Sequence, residues 1–492
     1  MKAALFLATA LAALAAPAFA ETYDVVISGG RVMDPASGRD EIANVGITGN
    51  RIAEISAAPL KGKRRIDARG LVVAPGFVDL HAHGQHDKGQ QFQALDGVTT
   101  AIDAEGGAMP VQAFIGALRG RALINFGATA SHECARMEVI ADTPCKGHGA
   151  TNAMVVAESK AYTAPATPEQ QKAIVAALDR EVALGALGYG LGIEYTPGAG
   201  RSEIYDIFKA AAETRAPVFV HVRSRPLDPA PGVPIAVVQE VIANAAVTGA
   251  SLQIVHLHST GLKDTPVLID MVKRAQARGL DITSEAYPYT AGSTLIGSEF
   301  FRDGWQERSG ISYGNLQWPA TGERLTQEMF ERYRREQPTA AVVIHMIPED
   351  VVDQIIAEPA ISIASDGMPW FTSGEHPRGA GTFARVLGRY VRERGTLDLM
   401  AALRKMTIMP AQRLEGISPQ MAKKGRVSVG ADADLTLFDP AAVADAATFE
   451  KPMQASRGIR YVLVNGKPVV DGGKLAANLF PGEAILGVGK AR

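Results

Sequence analysis

Between about residues 71 and 424, eight continuous apolar runs of β type alternate with helical stretches, which leaves the chain few possible folds. The runs are Leu71–Leu80, Val98–Ala104, Leu123–Ala130, Leu187–Tyr195, Val218–Val222, Leu252–Leu257, Asp281–Ala286 and Ile361–Ser365. Runs that are apolar throughout, rather than at every second position, mark strands buried on both faces. Pro168–Leu184 and Pro234–Ala246 are helical segments lying between such runs. Eight runs over this length predict an α/β chain of the (β/α)8 TIM-barrel type, residues 71–424. The rival architecture, a doubly wound open sheet binding a dinucleotide, would carry G-x-G-x-x-G after its first strand, and none is found there.

The ends of these runs carry the chemistry. His81 and His83 close the first run, and on a strand residues i and i+2 point the same way. His221 ends the fifth run, His256 the sixth, and Asp366 follows the eighth. Active sites of this fold sit at the carboxyl ends of the strands. Four imidazoles and one carboxylate therefore converge on one point, and the residue types are those that hold zinc. The two cysteines are too few for a Cys-only metal site, and paired strand-end carboxylates of the glycosidase kind are not the pattern here.

The rest of the 492 residues frames the barrel. Lys2, an Ala/Leu/Phe-rich stretch over 3–15 and Ala18-Phe19-Ala20 read as a signal peptide spanning 1–20, which predicts an exported, periplasmic protein. No later stretch is apolar enough to span a bilayer. In an oxidising compartment Cys134 and Cys145 could pair, or remain two buried thiols. Short β-rich units at 21–70 and 425–492, with tight turns at Gly49-Asn50 and Asn465-Gly466, are each too small for a core, so they are expected to join as one β-sandwich. About seventy residues from Thr290 to Pro359, with Trp305, Tyr313, Trp318 and Phe330, predict a lid over the barrel mouth. Lys and Arg (50) nearly balance Asp and Glu (52), so there is no footprint for nucleic acid and the expected partner is a small-molecule substrate.

The motifs together resemble the amidohydrolase superfamily and, within it, the N-acyl-D-amino-acid deacylases. The resemblance runs over nearly the whole mature chain: Ala74-Pro-Gly-Phe-Val-Asp-Leu-His-Ala-His, Gly97-Val-Thr-Thr, Gly192-Ile-Glu-Tyr-Thr-Pro-Gly, His221-Val-Arg, His256-Leu-His, Tyr287-Pro-Tyr-Thr-Ala-Gly-Ser-Thr, Ala364-Ser-Asp-Gly and His376-Pro-Arg. It implies a metal-dependent hydrolase acting on the linear amide of an N-acyl amino acid. Asp366 would take a proton from the attacking water and return it to the leaving amine, with Tyr195 or His132 assisting the oxyanion. Ser131-His132 with Arg136 resembles a family motif that follows the third strand.

Two departures stand out. Many superfamily members bridge two metals with a carboxylated Lys on the fourth strand, but no Lys lies near Leu187–Tyr195. The deacylases use a Cys after the second strand; here Glu105 stands within one position of it, with Asp103 and Glu194 as rival carboxylates. Glu105 is expected to link His81, His83 and Asp366 to His221 and His256, in a zinc site of one or two divalent ions. The deacylases also place a carboxylate-binding Lys two residues beyond the sixth-strand His, where this chain has His258. Arg223, Tyr289, Ser293 and Arg378 remain as substrate binders, with Arg223 the best shaped for a carboxylate. A cyclic amide or lactone is the alternative substrate, and a non-catalytic binding protein on a degenerate scaffold is the alternative of another class.

Overall fold

The computed structural model of the chain describes residues 22–145, 159–223, 233–368 and 376–488. The signal peptide expected at 1–20 falls outside the described residues. Eight parallel strands follow one another in chain order: Phe77–Asp79, Val98–Ala108, Asn125–Ser131, Tyr189–Gly192, Val218–His221, Leu252–Ile254, Ile282–Ala286 and Ile361–Ile363. The first and eighth meet just beyond their ends through a parallel bridge between Ala82 and Gly367, where His83 N donates to Gly367 O at 2.8 Å. Ser365 adds a second tie, its amide donating to Asp79 Oδ1 at 3.0 Å. The result is a (β/α)8 barrel with helices such as Pro168–Ala183 on its outside. That helix begins on Thr167, whose hydroxyl accepts from Gln170 N while the Gln170 side chain accepts from Thr167 N.

The long run at 71–80 serves two sheets. Val72–Pro75 pairs antiparallel with Leu435–Phe438, and only Phe77–Asp79 enters the barrel. The switch falls at Gly76, where a Cβ would come within 2.1 Å of Thr99 Oγ1, so no larger residue fits the crossing. Apolarity alone does not show this division, because both halves are fully buried.

Val72–Pro75 belongs to a nine-stranded sheet built from both ends of the chain, from Thr22–Asp34 to Lys474–Leu475. The long first strand pairs with Lys61–Asp67 along its beginning and with Val72–Pro75 farther on, with Arg39–Thr48 on its other edge. The sheet closes over its own core, Val25, Ile27, Val45, Ile66, Leu435 and Leu463 among its members, and forms the expected β-sandwich. Buried Lys424 joins the two bodies: its ammonium lies 2.9 Å from Asp432 and 2.6 Å from Asp434, which also accepts from Asn125 of the third barrel strand at 2.9 Å.

Between the seventh and eighth strands the chain forms a small antiparallel sheet of Ala291–Leu295, Ala341–His345 and Leu316–Gln317. It has a separate apolar cluster that includes Phe301, Trp305, Trp318 and Phe330. The helix Glu349–Ala357 then returns to the barrel, packing against the helix Thr265–Ala277, so the elaboration is shorter than the long connection suggested. Cys134 and Cys145 form a disulfide, with Cα atoms 5.3 Å apart.

Candidate metal centre and active site

The candidate ligands reach the barrel mouth by irregular backbone. The second strand bulges between Asp103 and Ala108, and the amides of Gly106 and Gly107 donate to Asp103 Oδ1 at 3.2 and 3.0 Å. This bulge carries Glu105. On the fourth strand a Cβ at Gly190 would lie 2.4 Å from Glu105 O, so the bulge occupies space that a side chain there would need. His256 and Asp366, just past their strands, hold positive φ of 28° and 52°. Such backbone costs on the order of 1–3 kcal/mol per residue and clusters at functional sites.

Two donor groups result, one of His81, His83, Glu105 and Asp366 and the other of Glu105, His221 and His256, the atoms of each lying within 4.8 Å of one another. Glu105 belongs to both. Its Oε2 lies 2.5 Å from His81 Nε2 and 3.6 Å from His256 Nε2, while its Oε1 lies 3.0 Å from His221 Nδ1. Asp366 Oδ1 is 3.4 Å from His81 Nε2 and 3.8 Å from His83 Nε2. The Nε2 atoms of His81 and His83 face each other at 3.0 Å. Two acceptor nitrogens turned toward one point with two carboxylates fit a shared divalent cation.

The electrostatics agree. Burial alone would push the Glu105 carboxyl up, but His221 and His81 outweigh it and hold it well below the carboxylate range. Burial opposes charge on His83, yet Asp103 prevails and raises it to about 10. His81 is held well above the imidazole range, burial being overcome by Asp366, Glu105 and Glu285. So many carboxylates in one buried cluster call for positive charge, which metal ions supply.

The site opens into a cavity walled on one side by strand ends and on the other by Phe300, Trp305, Arg308, Ile344 and Met346 of the insertion. Tyr195, Ser293, Arg223 and Arg378 line it. The Tyr195 hydroxyl accepts from Thr294 Oγ1 at 3.3 Å, and burial holds its pKa well above the ordinary value, so it stays protonated. Arg378 lies 2.8 Å from Asp366 Oδ2 with its guanidinium over the Tyr287 ring. Arg223 already has its fork on Glu240, at 3.2 and 2.9 Å, and on Ala199 O.

Three expected site residues lie off the cavity wall. His258 is buried edge-on to Tyr287, and burial, then His256 and Arg378, depress its pKa well below the imidazole range. Tyr289 donates to Pro377 O at 3.4 Å and packs on His376. His132 meets Glu203 at 2.7 Å, beside Arg136, whose Nη1 reaches Glu203 at 2.5 Å. Arg136 and Glu203 are fully buried, so Glu203→Ala strands a cation in the core. A loss of about 3–5 kcal/mol is expected, read from denaturant unfolding; an unchanged midpoint would contradict this network.

Of the rival carboxylates, Asp103 turns to His83 Nδ1 at 3.1 Å, and Glu194 lines the cavity 3.8 Å from Arg302. The sequence reading missed Glu285, which meets His81 Nδ1 at 2.5 Å, and Ser259, 2.8 Å from His256 Nδ1. Glu285 sits inside the seventh strand run, where a carboxylate at a buried position was the signal. Ser259 lies three residues after His256, on the first helical turn after it, a spacing with no motif of its own.

A closed parallel barrel with such donor groups at its mouth defines a metal-centred barrel protein. The sequence pattern of the amidohydrolase family matches residues 64–145 and 128–470, and the chain belongs to that family, among its N-acyl-D-amino-acid deacylases. It is 31% identical to an N-acyl-D-glutamate deacylase of Alcaligenes xylosoxydans xylosoxydans, over 91% of this chain and 93% of that one. It is also similar to the crystal structure of an N-acyl-D-glutamate deacylase from Bordetella bronchiseptica, complexed with zinc and a phosphonate mimic of the reaction's tetrahedral intermediate. There the identity is 27%, with 95% of this chain and 100% of that one covered at a TM-score of 0.78. A D-aminoacylase studied for its binuclear metal centre, with one-metal activation and second-metal attenuation, is 25% identical over 94% of this chain and 100% of that one, at a TM-score of 0.79.

Proposed function

We propose that this protein hydrolyses the amide bond of N-acyl-D-amino acids, releasing a carboxylate and a free amino acid, with zinc or a similar divalent ion. The observation that supports this most is Glu105, shared by two donor groups at the floor of a small-molecule cavity. His81, His83 and Asp366 would hold one ion, His221 and His256 another, with Glu105 between. A bound divalent ion acts as a Lewis acid and makes water acidic enough to attack near neutral pH.

The chain's own residues do the rest. Asp366 takes the proton of the attacking water and returns it to the leaving nitrogen, which otherwise departs as a poor anion. The protonated Tyr195 hydroxyl offers a hydrogen bond where negative charge develops on the carbonyl oxygen. Arg378 and Ser293 face the cavity and take the substrate's free carboxylate. Arg223, engaged by Glu240, shapes the wall instead. Export to the periplasm is part of the same reading, supported by the leader-like residues 1–20 and the paired cysteines. Among the described residues, no helix is long and apolar enough to cross a membrane.

The test is a panel of N-acetyl amino acids of both hands, assayed for amine release alongside metal content. D-selective hydrolysis, lost on chelation and restored by zinc, is expected. A folded, metal-replete protein that opens a hydantoin or lactone but none of the N-acyl-D-amino acids would overturn the reading.

A further inference from the structure

We propose that Phe449 and Asp445, on the loop joining two strands of the β-sandwich, are positioning residues that hold Arg378 in place for the substrate's carboxylate. The inference rests on the reading of Arg378 as that carboxylate's anchor and goes on to what sets the anchor.

Arg378 opens the helix Arg378–Arg385, and its guanidinium is held by Asp366 and the Tyr287 ring. Its own amide donates to His376 Nδ1 at 3.0 Å, while His376 Nε2 meets Ala291 O at 2.9 Å. A carbonyl only accepts, so Nε2 carries the ring hydrogen and Nδ1 is left to accept. One imidazole therefore ties the start of this helix to the insertion strand Ala291–Leu295, which carries Ser293. The two groups assigned to the substrate's carboxylate are kept in register through His376.

The His376 ring is gripped in turn from two sides. Tyr289 meets it edge to face with centroids 5.3 Å apart, and Phe449 does the same at 5.1 Å. Phe449 comes from residues 439–458, the connection between the sandwich strands Leu435–Phe438 and Ile459–Val464. Its ring also lies 4.8 Å from that of His345 in the insertion, and its carbonyl accepts from Gln317 Nε2 at 3.4 Å. A single sandwich side chain thus touches both the insertion and the turn that leads into Arg378.

The same loop holds the other end of the helix. Arg385 donates to Asp445 Oδ2 at 2.8 Å and to Pro288 O at 2.8 Å, with its guanidinium over the Tyr289 ring. The fit is close, since a Cβ at Gly381 would lie 2.9 Å from Asp445 Cβ. Near the end of the loop, Ser456 donates to Asp96 Oδ1 at 2.6 Å, and Asp96 accepts from the amides of Phe383 and Ala384. The helix is therefore fixed at its start and over its last turn by one loop of the sandwich. Neither Phe449 nor Asp445 lines the cavity, so each acts through Arg378 and not on the substrate.

The experiment reads KM and kcat on whichever N-acetyl-D-amino acid wild type hydrolyses fastest, for Phe449→Leu, Phe449→Tyr, Asp445→Leu, Arg378→Leu and the double variant Arg378→Leu/Phe449→Leu. Thermal melts and metal content accompany each. Phe449→Leu and Asp445→Leu should raise KM about 5–20-fold with kcat within about threefold of wild type, the mark of lost uniform binding. Metal per chain should not change. Phe449→Tyr keeps the ring and should restore wild-type KM. In the Arg378→Leu background, Phe449→Leu should add less than about twofold, because the group it positions is already gone. A merely structural loss would instead multiply through. Wild-type KM in folded Phe449→Leu and Asp445→Leu, or the full KM rise repeated in the Arg378→Leu background, would overturn the inference and leave the deacylase reading standing. No hydrolysis of any N-acetyl-D-amino acid by folded, metal-replete wild type would overturn both.

Discussion

Asp366→Asn is expected to bind metal at close to wild-type stoichiometry while kcat falls by about 10²–10⁴. The amide keeps an oxygen where Asp366 Oδ1 now lies, 3.4 Å from His81 Nε2, so the donor group persists. It can no longer accept and return a proton, and both halves of the reaction need that. The Arg378 guanidinium, now 2.8 Å from Oδ2, loses its ionic partner but keeps its place over the Tyr287 ring. KM should therefore change far less than kcat. Steady-state kinetics beside metal analysis check this, and turnover within a few-fold of wild type would remove Asp366 from the proton path.

The second large effect is expected for Glu105→Ala. Metal per chain should fall from near two equivalents to one or none, with hydrolysis lost in proportion. Glu105 supplies both oxygens that join the groups, so its loss leaves His221 and His256 without a carboxylate in their donor set. Glu105→Cys is the informative companion, because it restores the residue type expected of the deacylases at nearly this position. A single sulfur is a softer donor, and cobalt-loaded Glu105→Cys should show a thiolate-to-metal absorption band absent from wild type. Two equivalents retained by Glu105→Ala would show that the groups are not joined through this residue.

The barrel was legible because its strands are buried on both faces and so write themselves as unbroken apolar runs. His81, His83, His221, His256 and Asp366 were legible for a related reason, as polar residues that interrupt those runs where the fold puts its chemistry. Glu105 needed the family comparison, since a bulge rather than strand alternation delivers it. Glu285 and Ser259 were not legible, because their importance lies in which ring nitrogen they face. The assignments of His132, His258 and Tyr289 came from motif resemblance, which records position along the chain but not which way a side chain turns. The division at Gly76 was hidden because both sheets demand the same apolar residues.

That division ties assembly of the centre to the order of synthesis. The segment leading into His81 and His83 is fastened on one side by Leu435–Phe438, and Arg51 and Arg64 pair with residues 381 and 407 positions later. Pairings this distant yield nothing until the far end of the chain exists. The first barrel strand is thus among the earliest parts made and the last to be secured. A chain still being made holds these ligands without the frame that sets them, so metal capture waits for the finished molecule.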